Sequence, residues 1–358
     1  MSLLARYLAR EIIVATLIVL IAFLGIFGFF DLIEELDSIG RDGYEAHHAL
    51  VYVAMSLPGK VYELMPIVVL IGTLYALTQL AKSSEITVMR ASGLSTAGML
   101  RILGMVGLFF AAITFVFGEY LAPPAERAAQ QWRLTVTGSP VSNQLRTGAW
   151  VKDGRVFINA RTVHPDRSME GVRVFEFDEH QALVAISLAR RGVYDAQTKL
   201  WRLTEVRQTR FAKDRTEVVE VEAIDWQSNL SPDVLSVLIV APERMSVATL
   251  YAYVTHLRDN RQNADRFEIA LWKKVVYPFA ALVMMALALP FALQHDRMGA
   301  VSIKVFLGVM LGVGFHLLNG LFSHLGVINA WQPALAAVTP SLLFLIAAAV
   351  MLFGVERR

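Results

Sequence analysis

A long polar stretch separates two groups of membrane-length apolar segments in this chain. A helix needs about 20 mostly apolar residues to cross the hydrocarbon core of a bilayer. Six segments qualify, at residues 12–30, 64–81, 102–118, 275–293, 305–325 and 338–355. Three lie before the polar stretch and three after it. The sequence therefore predicts a membrane α-helical bundle of six transmembrane helices with a folded domain inserted after the third.

The composition excludes several classes of function. Soluble domains carry about 25% charged residues, whereas this chain has 18% charged and 55% hydrophobic residues. Its net charge of +2 is too small to indicate a nucleic-acid partner. The absence of cysteine excludes disulfides, thiolate metal sites and a cysteine nucleophile, and the eight histidines show no metal-ligand spacing. No catalytic triad, paired-acid or phosphate-loop pattern is present, so we expect neither an enzyme nor a metal site.

The charges of the short loops predict the orientation of the chain. Basic residues dominate the N terminus, two of the loops and the C terminus, at Arg6, Arg10, Lys82, Arg90, Arg101, Arg297, Lys304, Arg357 and Arg358. Residues 31–63 are instead mostly acidic, with only Arg41 and Lys60 as basic residues. Positively charged loops stay in the cytoplasm. Both termini are therefore predicted to be cytoplasmic and the insert to lie outside.

The insert has the alternating pattern of antiparallel strands. Asp153-Gly154 lies between two alternating runs, which is the strongest short hairpin signal. Further strands are predicted at residues 172–177, 183–194, 200–211 and 216–226. This spacing is typical of a sandwich or jelly roll. The pattern does not decide whether the apolar inner face is a filled core or an open groove for a lipid.

The chain is thus predicted to have three regions. Residues 1–122 hold the first three spans and a short helix at 82–93, residues 123–245 form the β domain, and residues 246–358 hold the remaining spans. Residues 246–267 repeat apolar side chains at helical spacing, which predicts an interfacial helix leading into the fourth span.

The segment at residues 82–93 predicts a compact helix between the second and third spans. Ser83 or Ser84 is expected to cap its N terminus, and Gly93 to end it. The helix dipole favours an anion in the first turn, where Glu85 lies. We expect an acidic end and an apolar patch to face the cytoplasm, formed by Glu85, Ile86, Met89 and Arg90. The alternative is a helix that lies on the lipid surface.

Five short motifs are spread along the chain. They are Arg6-Tyr7, residues 81–94, Gly118-Glu-Tyr-Leu-Ala-Pro123, Leu230-Ser-Pro-Asp233 and Leu271-Trp-Lys-Lys-Val-Val-Tyr-Pro278. Together they resemble the LptF/LptG (YjgP/YjgQ) permease family of lipopolysaccharide export. The resemblance covers essentially the whole chain, and the third and fifth motifs are closer to the LptG branch.

The resemblance implies a permease subunit of an ABC transporter. Such a transporter extracts lipopolysaccharide from the outer leaflet of the bacterial inner membrane and passes it to a periplasmic bridge toward the outer membrane. The implied partners are an LptF-type permease, a dimeric LptB-type ATPase, LptC, and LptA through a jelly-roll β domain in the periplasm. Because such a domain passes the lipid on, the resemblance favours the open groove over the filled core. ATP would be bound by the ATPase, so no cofactor is expected on this chain. By this resemblance the segment at 82–93 docks on the ATPase, where Glu85 pairs with a basic group.

The resemblance also implies contacts with the lipid. The first and fifth spans of the family help to form lateral gates, so acyl-chain contacts are expected from Phe23, Phe27, Phe30, Phe306, Met310 and Phe315. Three polar residues, His316, Asn319 and His324, are expected close to one face of the fifth span. His316 is the candidate among them for contact with the lipid. Phosphates are expected to meet Lys273, Lys274 and Arg133. Each group has an alternative. The aromatic residues would face the bilayer or the core, the polar residues of the fifth span would form an interhelix hydrogen bond, and the lysines would snorkel to the membrane surface.

One departure and two alternatives accompany this interpretation. LptG members often carry lysines just after the first span, whereas residues 31–37 read Asp-Leu-Ile-Glu-Glu-Leu-Asp here. The same architecture would also suit a membrane sensor or scaffold whose β domain binds a ligand. It would equally suit a different lipid- or lipoprotein-exporting ABC permease, although those usually place their insert after the first of four spans.

Overall fold

The computed structural model describes most of the chain. The described residues are 3–40, 44–137, 148–164, 168–195, 197–198, 200–212, 215–227, 241–293 and 301–356, so the Leu230–Asp233 motif and Arg297 lie outside them. The chain divides into two compact units. The helical unit comprises Met1–Asp37, Val53–Glu126 and Asp265–Arg358, and the sheet unit comprises Ser38–Tyr52 and Arg127–Ala264.

The described residues form ten α-helices. They are α1 Leu3–Leu36, α2 Ala46–Lys82, α3 Glu85–Ala91, α4 Thr96–Val116, α5 Ala122–Thr137, α6 Val247–Asp259, α7 Asp265–Val276, α8 Ala280–Leu293, α9 Val301–Ile328 and α10 Pro333–Glu356. Six helical stretches of the described chain are long and apolar enough to cross a membrane, since α4 continues into α5 and α7 into α8. The predicted six spans are confirmed, three before the β insert and three after it.

Helix α2 is the central helix of the helical unit. In its most apolar stretch 78% of the residues are buried, against 17% in α1 and 17% in α9. Glycines bring the neighbouring helices close: a Cβ at Gly72 would lie 2.5 Å from Cα of Thr16 on α1, and a Cβ at Gly312 of α9 would lie 2.7 Å from Ile67 of α2. Small residues are the usual means of close packing between membrane helices.

A π-helical turn, Phe117–Leu121, joins α4 to α5. The N–H of Ala122 donates to the carbonyl of Phe117, five residues earlier. A wider turn suits this position because Pro123 has no N–H and its ring would crowd the carbonyl four residues before it. Gly118 lies against Tyr62, where a Cβ would approach the ring to 2.6 Å. The 118–123 motif therefore encodes a local change of helix type.

The sheet unit contains one antiparallel sheet of six described strands. They are β1 Ala149–Asp153, β2 Val156–Val163, β3 Met169–Phe177, β4 Leu183–Asp195, β5 Leu200–Phe211 and β6 Thr216–Gln227. The strands follow one another in sequential order. The predicted hairpin is confirmed, because Asp153 pairs with Val156 and Gly154 has a φ of +60°. The inserted all-β domain is thus confirmed, and within the described residues its topology is a meander without the crossovers of a jelly roll.

One face of this sheet is packed. Its buried apolar cluster includes Ile158, Val172, Trp201, Leu203 and Val206. The Trp201 indole is fully buried and lies 5.2 Å from the Tyr194 ring, centroid to centroid. Because these side chains contact one another, the structure shows the filled core and not the open groove for these residues.

The predicted helix at 246–267 is confirmed over Val247–Asp259, but it does not run on to residue 267. Ser246 caps α6, its Oγ accepting the N–H of Thr249 at 3.2 Å. The helix then ends at Asp259, where Arg261 adopts a left-handed φ of +52° and the N–H of Gln262 donates to Leu257. A second helix, α7, starts at Asp265. Residues 258–263 read Arg-Asp-Asn-Arg-Gln-Asn, so the apolar spacing stops at Leu257 and this polar run was a signal for the break.

Candidate functional site

The short helix α3 lies between the second and third spans, as predicted. Gly93 ends it with a φ of +94°, the N–H of Leu94 donating to Met89 and that of Gly93 to Arg90. These two bonds form a Schellman motif, which needs a left-handed residue at this position. The predicted cap by Ser83 or Ser84 is wrong. Ser84 occupies the N-cap position with a φ of +61° and makes no side-chain capping bond, and the Ser83 hydroxyl bonds to the Glu85 carboxylate instead.

Glu85 is held by two hydroxyl groups. The Tyr7 hydroxyl of α1 donates to Oε2 at 2.8 Å, and the Ser83 hydroxyl donates to Oε1 at 2.9 Å. Glu85 is half-buried. Both carboxylate oxygens thus have a partner within the chain, and one partner comes from the first membrane helix.

Ile86 and Met89 do not form the exposed patch expected from the sequence. Both are buried in the helical core with Leu8 and Ile12 of α1. Arg90 is exposed, and the large exposed apolar side chain of α3 is Val88, at 63%. The apolar face of α3 packs on the ends of the spans, because burial there stabilises it more than exposure to water would.

The aromatic candidates separate into two groups. Phe27 and Phe30 of α1, and Phe306 and Met310 of α9, are exposed within the unit. Phe315 is buried, with its ring 5.2 Å from Phe344 in an edge-to-face contact. Phe315 is therefore a packing residue in this conformation, which contradicts the expected acyl-chain contact, whereas the other four remain accessible from the bilayer side.

The polar residues of α9 do not share one environment. His316 and His324 are exposed, but Asn319 is buried and its amide donates to the carbonyl of Phe315 at 3.0 Å. The expectation that all three lie together is wrong, because Asn319 faces the packed side of the helix. His316 stays a candidate for contact with a ligand.

The three candidate cations also differ. Lys274 is only 5% exposed, and its Nζ lies 4.4 Å from the centroid of the Tyr62 ring. Lys273 is half-buried. Arg133 belongs to the sheet unit and lies over the ring of Tyr52, 5.4 Å from its centroid. Lys274 is thus directed into the helical unit, and not toward an outer rim as the sequence suggested.

The surroundings of Lys274 are polar. The rings of Tyr62 and Tyr277 lie 4.9 Å apart, and the Tyr277 hydroxyl donates to the backbone carbonyl of Glu63 at 2.6 Å. Glu119, placed by the π-helical turn, is close enough to interact electrostatically with Lys274. In the described part of the chain no three histidine, aspartate or glutamate side chains could hold a metal ion.

Sequence reasoning missed two residues that contact predicted site residues, since Tyr7 bonds to Glu85 and Lys60 lies near Phe27. Tyr7 was noticed only as part of a motif, and Lys60 only as a charge in an acidic loop. Lys60 pairs with Asp31 and lies 5.9 Å from the ring centroid of Phe27. Neither contact has a sequence signal, because the partners are far apart in the chain and meet only when the helices pack.

Comparison with known proteins identifies the family. The family model described as lipopolysaccharide export system permease LptF/LptG matches residues 6–353. The chain belongs to the LptF/LptG family. This match covers all six spans and the sheet, so the LptF/LptG architecture extends over both units.

Individual relatives agree with this assignment. The chain is 28% identical to the lipopolysaccharide export system permease protein LptG of Escherichia coli over 343 residues, which is 95% of this chain and 94% of that protein. It is 26% identical to LptG of Haemophilus influenzae over 341 residues, 95% of each chain. The similarity to LptF of Escherichia coli is 30% over 122 residues, 34% of this chain and 33% of that protein. The chain is thus a multi-pass inner-membrane protein of the permease family, and LptG proteins match it over much more of its length than LptF does.

Proposed function

We propose that this chain is the LptG-type permease subunit of an ABC transporter that extracts lipopolysaccharide from the outer leaflet of the inner membrane and delivers it to a periplasmic bridge. The observation that carries the proposal is the family match over residues 6–353, together with LptG relatives that align with 95% of the chain. The three-plus-three arrangement of spans around one sheet supports it.

The proposed orientation places α3 in the cytoplasm and the sheet in the periplasm. It rests on the basic residues near both termini and at residues 82–101, against the acidic residues 31–63. With six spans, both termini lie on the same side as α3. A cytoplasmic α3 is required for any contact with a cytoplasmic ATPase.

In this proposal α3 transmits the motion of a dimeric LptB-type ATPase. Val88 and Arg90 of α3 are exposed, and Glu85 is half-buried in its first turn. Ile86 and Met89 anchor the helix to the spans, so a displacement of α3 also displaces the cores of α1 and α4. Glu85 would pair with a basic group of the ATPase, and ATP would be bound and hydrolysed there and not on this chain.

The proposed route of the lipid runs past α1 and α9. These helices flank α2 and are buried in only 17% of their most apolar stretches. Their exposed Phe27, Phe30, Phe306 and Met310 suit acyl chains or the facing helices of an LptF-type permease. Lysine and arginine side chains bind phosphate, so Lys273 and Arg133 remain the candidates for the head group. The buried Lys274 would become accessible to a phosphate only after the helices around it move apart.

The sheet would pass the lipid on to LptC and LptA. Its inner face is filled in the described conformation, with Trp201 fully buried. Delivery through this face therefore requires the cluster around Trp201 to open. An acyl chain entering it would exchange one set of apolar contacts for another, which makes such an opening less costly than exposure to water.

The proposal is tested by purifying the chain from its native membrane with a C-terminal affinity tag. We expect an ATPase subunit, a second permease of the family and lipopolysaccharide in the purified complex, and ATP hydrolysis that depends on Glu85. A Glu85→Ala complex should be impaired in assembly or hydrolysis, whereas an Arg244→Ala complex, changed in the sheet unit, should not be. Recovery of the chain alone, without a nucleotide-hydrolysing subunit, would favour the sensor or scaffold. Protease cleavage within residues 140–240 from the cytoplasmic side would refute the proposed orientation.

A further inference from the structure

The carboxylate of Glu85 is fixed from two directions. Oε2 accepts from the hydroxyl of Tyr7 at 2.8 Å, and Oε1 accepts from the hydroxyl of Ser83 at 2.9 Å. Ser83 is two residues away and its N–H donates to the carbonyl of Gln79 on the last turn of α2 at 3.0 Å. Tyr7 is 78 residues away on α1. Hydrogen bonds to an ionised group are among the stronger ones in proteins and they are directional. Tyr7 thus ties the carboxylate to α1, while Ser83 ties it to the end of α2.

Tyr7 itself is carried on a well-anchored part of α1. Its neighbours Leu8 and Ile12 are fully buried, in the same core that receives Ile86 and Met89. The Tyr7 ring remains 38% exposed. The phenol hydroxyl therefore reaches Glu85 at the surface of the unit while the backbone behind it is held in the core.

Further along, α1 crosses α2 at a close contact. Thr16 is fully buried and its hydroxyl donates to the carbonyl of Ile12 at 2.7 Å. A Cβ at Gly72 of α2 would lie 2.5 Å from Cα of Thr16. Close-packed helices move as one body, because interiors packed at crystal density resist small shifts. Between Tyr7 and Thr16, α1 therefore forms a rigid support for Glu85.

We propose that Tyr7 is a positioning residue for transport: its hydroxyl holds the Glu85 carboxylate in the direction in which a basic side chain of the ATPase binds it. This inference rests on the proposed function, because it requires α3 to dock on an ATPase. Tyr7 acts through Glu85, by the bond from its hydroxyl to Oε2. The specific contribution of Tyr7 is the hydroxyl group alone.

The test uses the whole transporter complex in lipid nanodiscs, from which the ATPase subunit has been removed and to which the purified ATPase is titrated back. Tyr7→Phe deletes the hydroxyl and keeps the ring. We expect it to weaken the binding of the ATPase roughly 10-fold, as for the loss of one hydrogen bond to a charged group. Tyr251→Phe, which deletes an exposed hydroxyl on α6, is the matched control and should leave the affinity unchanged.

A double-mutant cycle separates positioning from general structure. If Tyr7 acts through Glu85, then adding Tyr7→Phe to Glu85→Ala should cause no further loss of affinity. The rate of ATP hydrolysis at saturating ATPase should also stay near that of the unmodified complex in Tyr7→Phe, because orientation is restored once the partner is bound. Equal losses in both backgrounds would show that Tyr7 acts independently of Glu85, and would overturn the inference.

The failure of this inference differs from the failure of the proposed function. Unchanged affinity in Tyr7→Phe, with a clear loss in Glu85→Ala, would remove the role of Tyr7 and keep the coupling role of Glu85. Unchanged affinity in Glu85→Ala would remove the coupling role itself, and the role of Tyr7 with it. Ser83→Ala gives a second measurement, since it deletes the hydroxyl bound to Oε1. It should weaken binding by less than Tyr7→Phe, because the single hydrogen of that hydroxyl is shared with the carbonyls of Gln79 and Leu80, each 3.2 Å away.

Discussion

The amino group of Lys60 lies 3.0 Å from Oδ1 of Asp31 and thereby joins α2 to the C-terminal part of α1. The two side chains are only 24% and 21% exposed. LptG proteins often carry lysines just after the first span, but here an acidic side chain at residue 31 pairs within the chain. Asp31 is thus a structural partner of Lys60, and the cation near the end of α1 is contributed by α2.

This pair predicts a charge-swap rescue. Asp31→Lys and Lys60→Asp should each lower the free energy of unfolding by about 1 kcal/mol or more, because each places like charges together at a partly buried site. The combined swap should recover most of the loss. The measurement is the thermal transition of the purified complex in detergent, with Glu34→Lys as a control at an exposed position of the same acidic run. Additive losses in the combined variant would show that the two side chains do not interact.

The crossing of α1 and α2 predicts a steric effect at Gly72. Gly72→Ala places a methyl group 2.5 Å from the Thr16 backbone, which forces α1 away from α2. Such overpacking costs roughly 1–3 kcal/mol. Gly314→Ala in α9 is the matched control, since a Cβ there meets nothing within 4 Å. We expect Gly72→Ala to lower the melting temperature and Gly314→Ala not to lower it. Equal effects of the two changes would contradict the close contact between Gly72 and Thr16.

Because Lys274 is buried, we expect its removal to lower the stability of the fold more than the removal of the less buried Lys273. Lys274→Met loses the contact with Tyr62 and leaves Glu63 and Glu119 without that cation, at an expected cost of about 2 kcal/mol or more. Lys273→Met should cost much less because Lys273 is half-buried. Thermal denaturation of both variants, with lipopolysaccharide crosslinking measured in parallel, checks this expectation. A Lys274→Met variant with native stability and lost crosslinking would instead support the head-group role.

The sheet contains an ion pair that predicts a pH dependence. The Nε and Nη2 atoms of Arg202 on β5 donate to Oδ1 and Oδ2 of Asp225 on β6, at 2.8 and 3.2 Å. The hydrogen bond from Arg202 lowers the pKa of Asp225 below its ordinary value. The stability from this pair is therefore present above the pKa of Asp225 in the unfolded chain, and it is lost as the pH falls through the lower pKa of the folded chain.

Hydrogen exchange of the full chain measures this effect strand by strand. The amides of β5 and β6, corrected for intrinsic exchange rates, should lose protection on acidification. Asp225→Asn should reduce their protection at neutral pH and flatten the acid-dependent loss. Glu222→Gln, an exposed acid on the same strand, is the control and should preserve the profile. A profile unchanged by Asp225→Asn would assign the acid sensitivity to other groups.

Local features were predictable where one segment contains the whole signal. The Asp153-Gly154 hairpin and the strand Leu200–Phe211 formed at the predicted positions, since turn chemistry and alternation act between neighbours in sequence. The stop at Gly93 was likewise confirmed, because only a left-handed residue completes that helix end. The burial of Ile86 and Met89 was not predictable from the sequence of α3 alone, because their spacing is consistent with either an exposed or a buried helix face.

The sequence by itself determined the six spans, the position of the β insert, the short helix between the second and third spans and the family to which the chain belongs. These follow from hydropathy, alternation and local motifs, which are properties of contiguous residues. Only the tertiary structure decided that Tyr7 holds Glu85, that Lys60 pairs with Asp31, and that Lys274 and Phe315 are buried. These depend on which helix faces meet, and the packing of side chains from distant segments decides that.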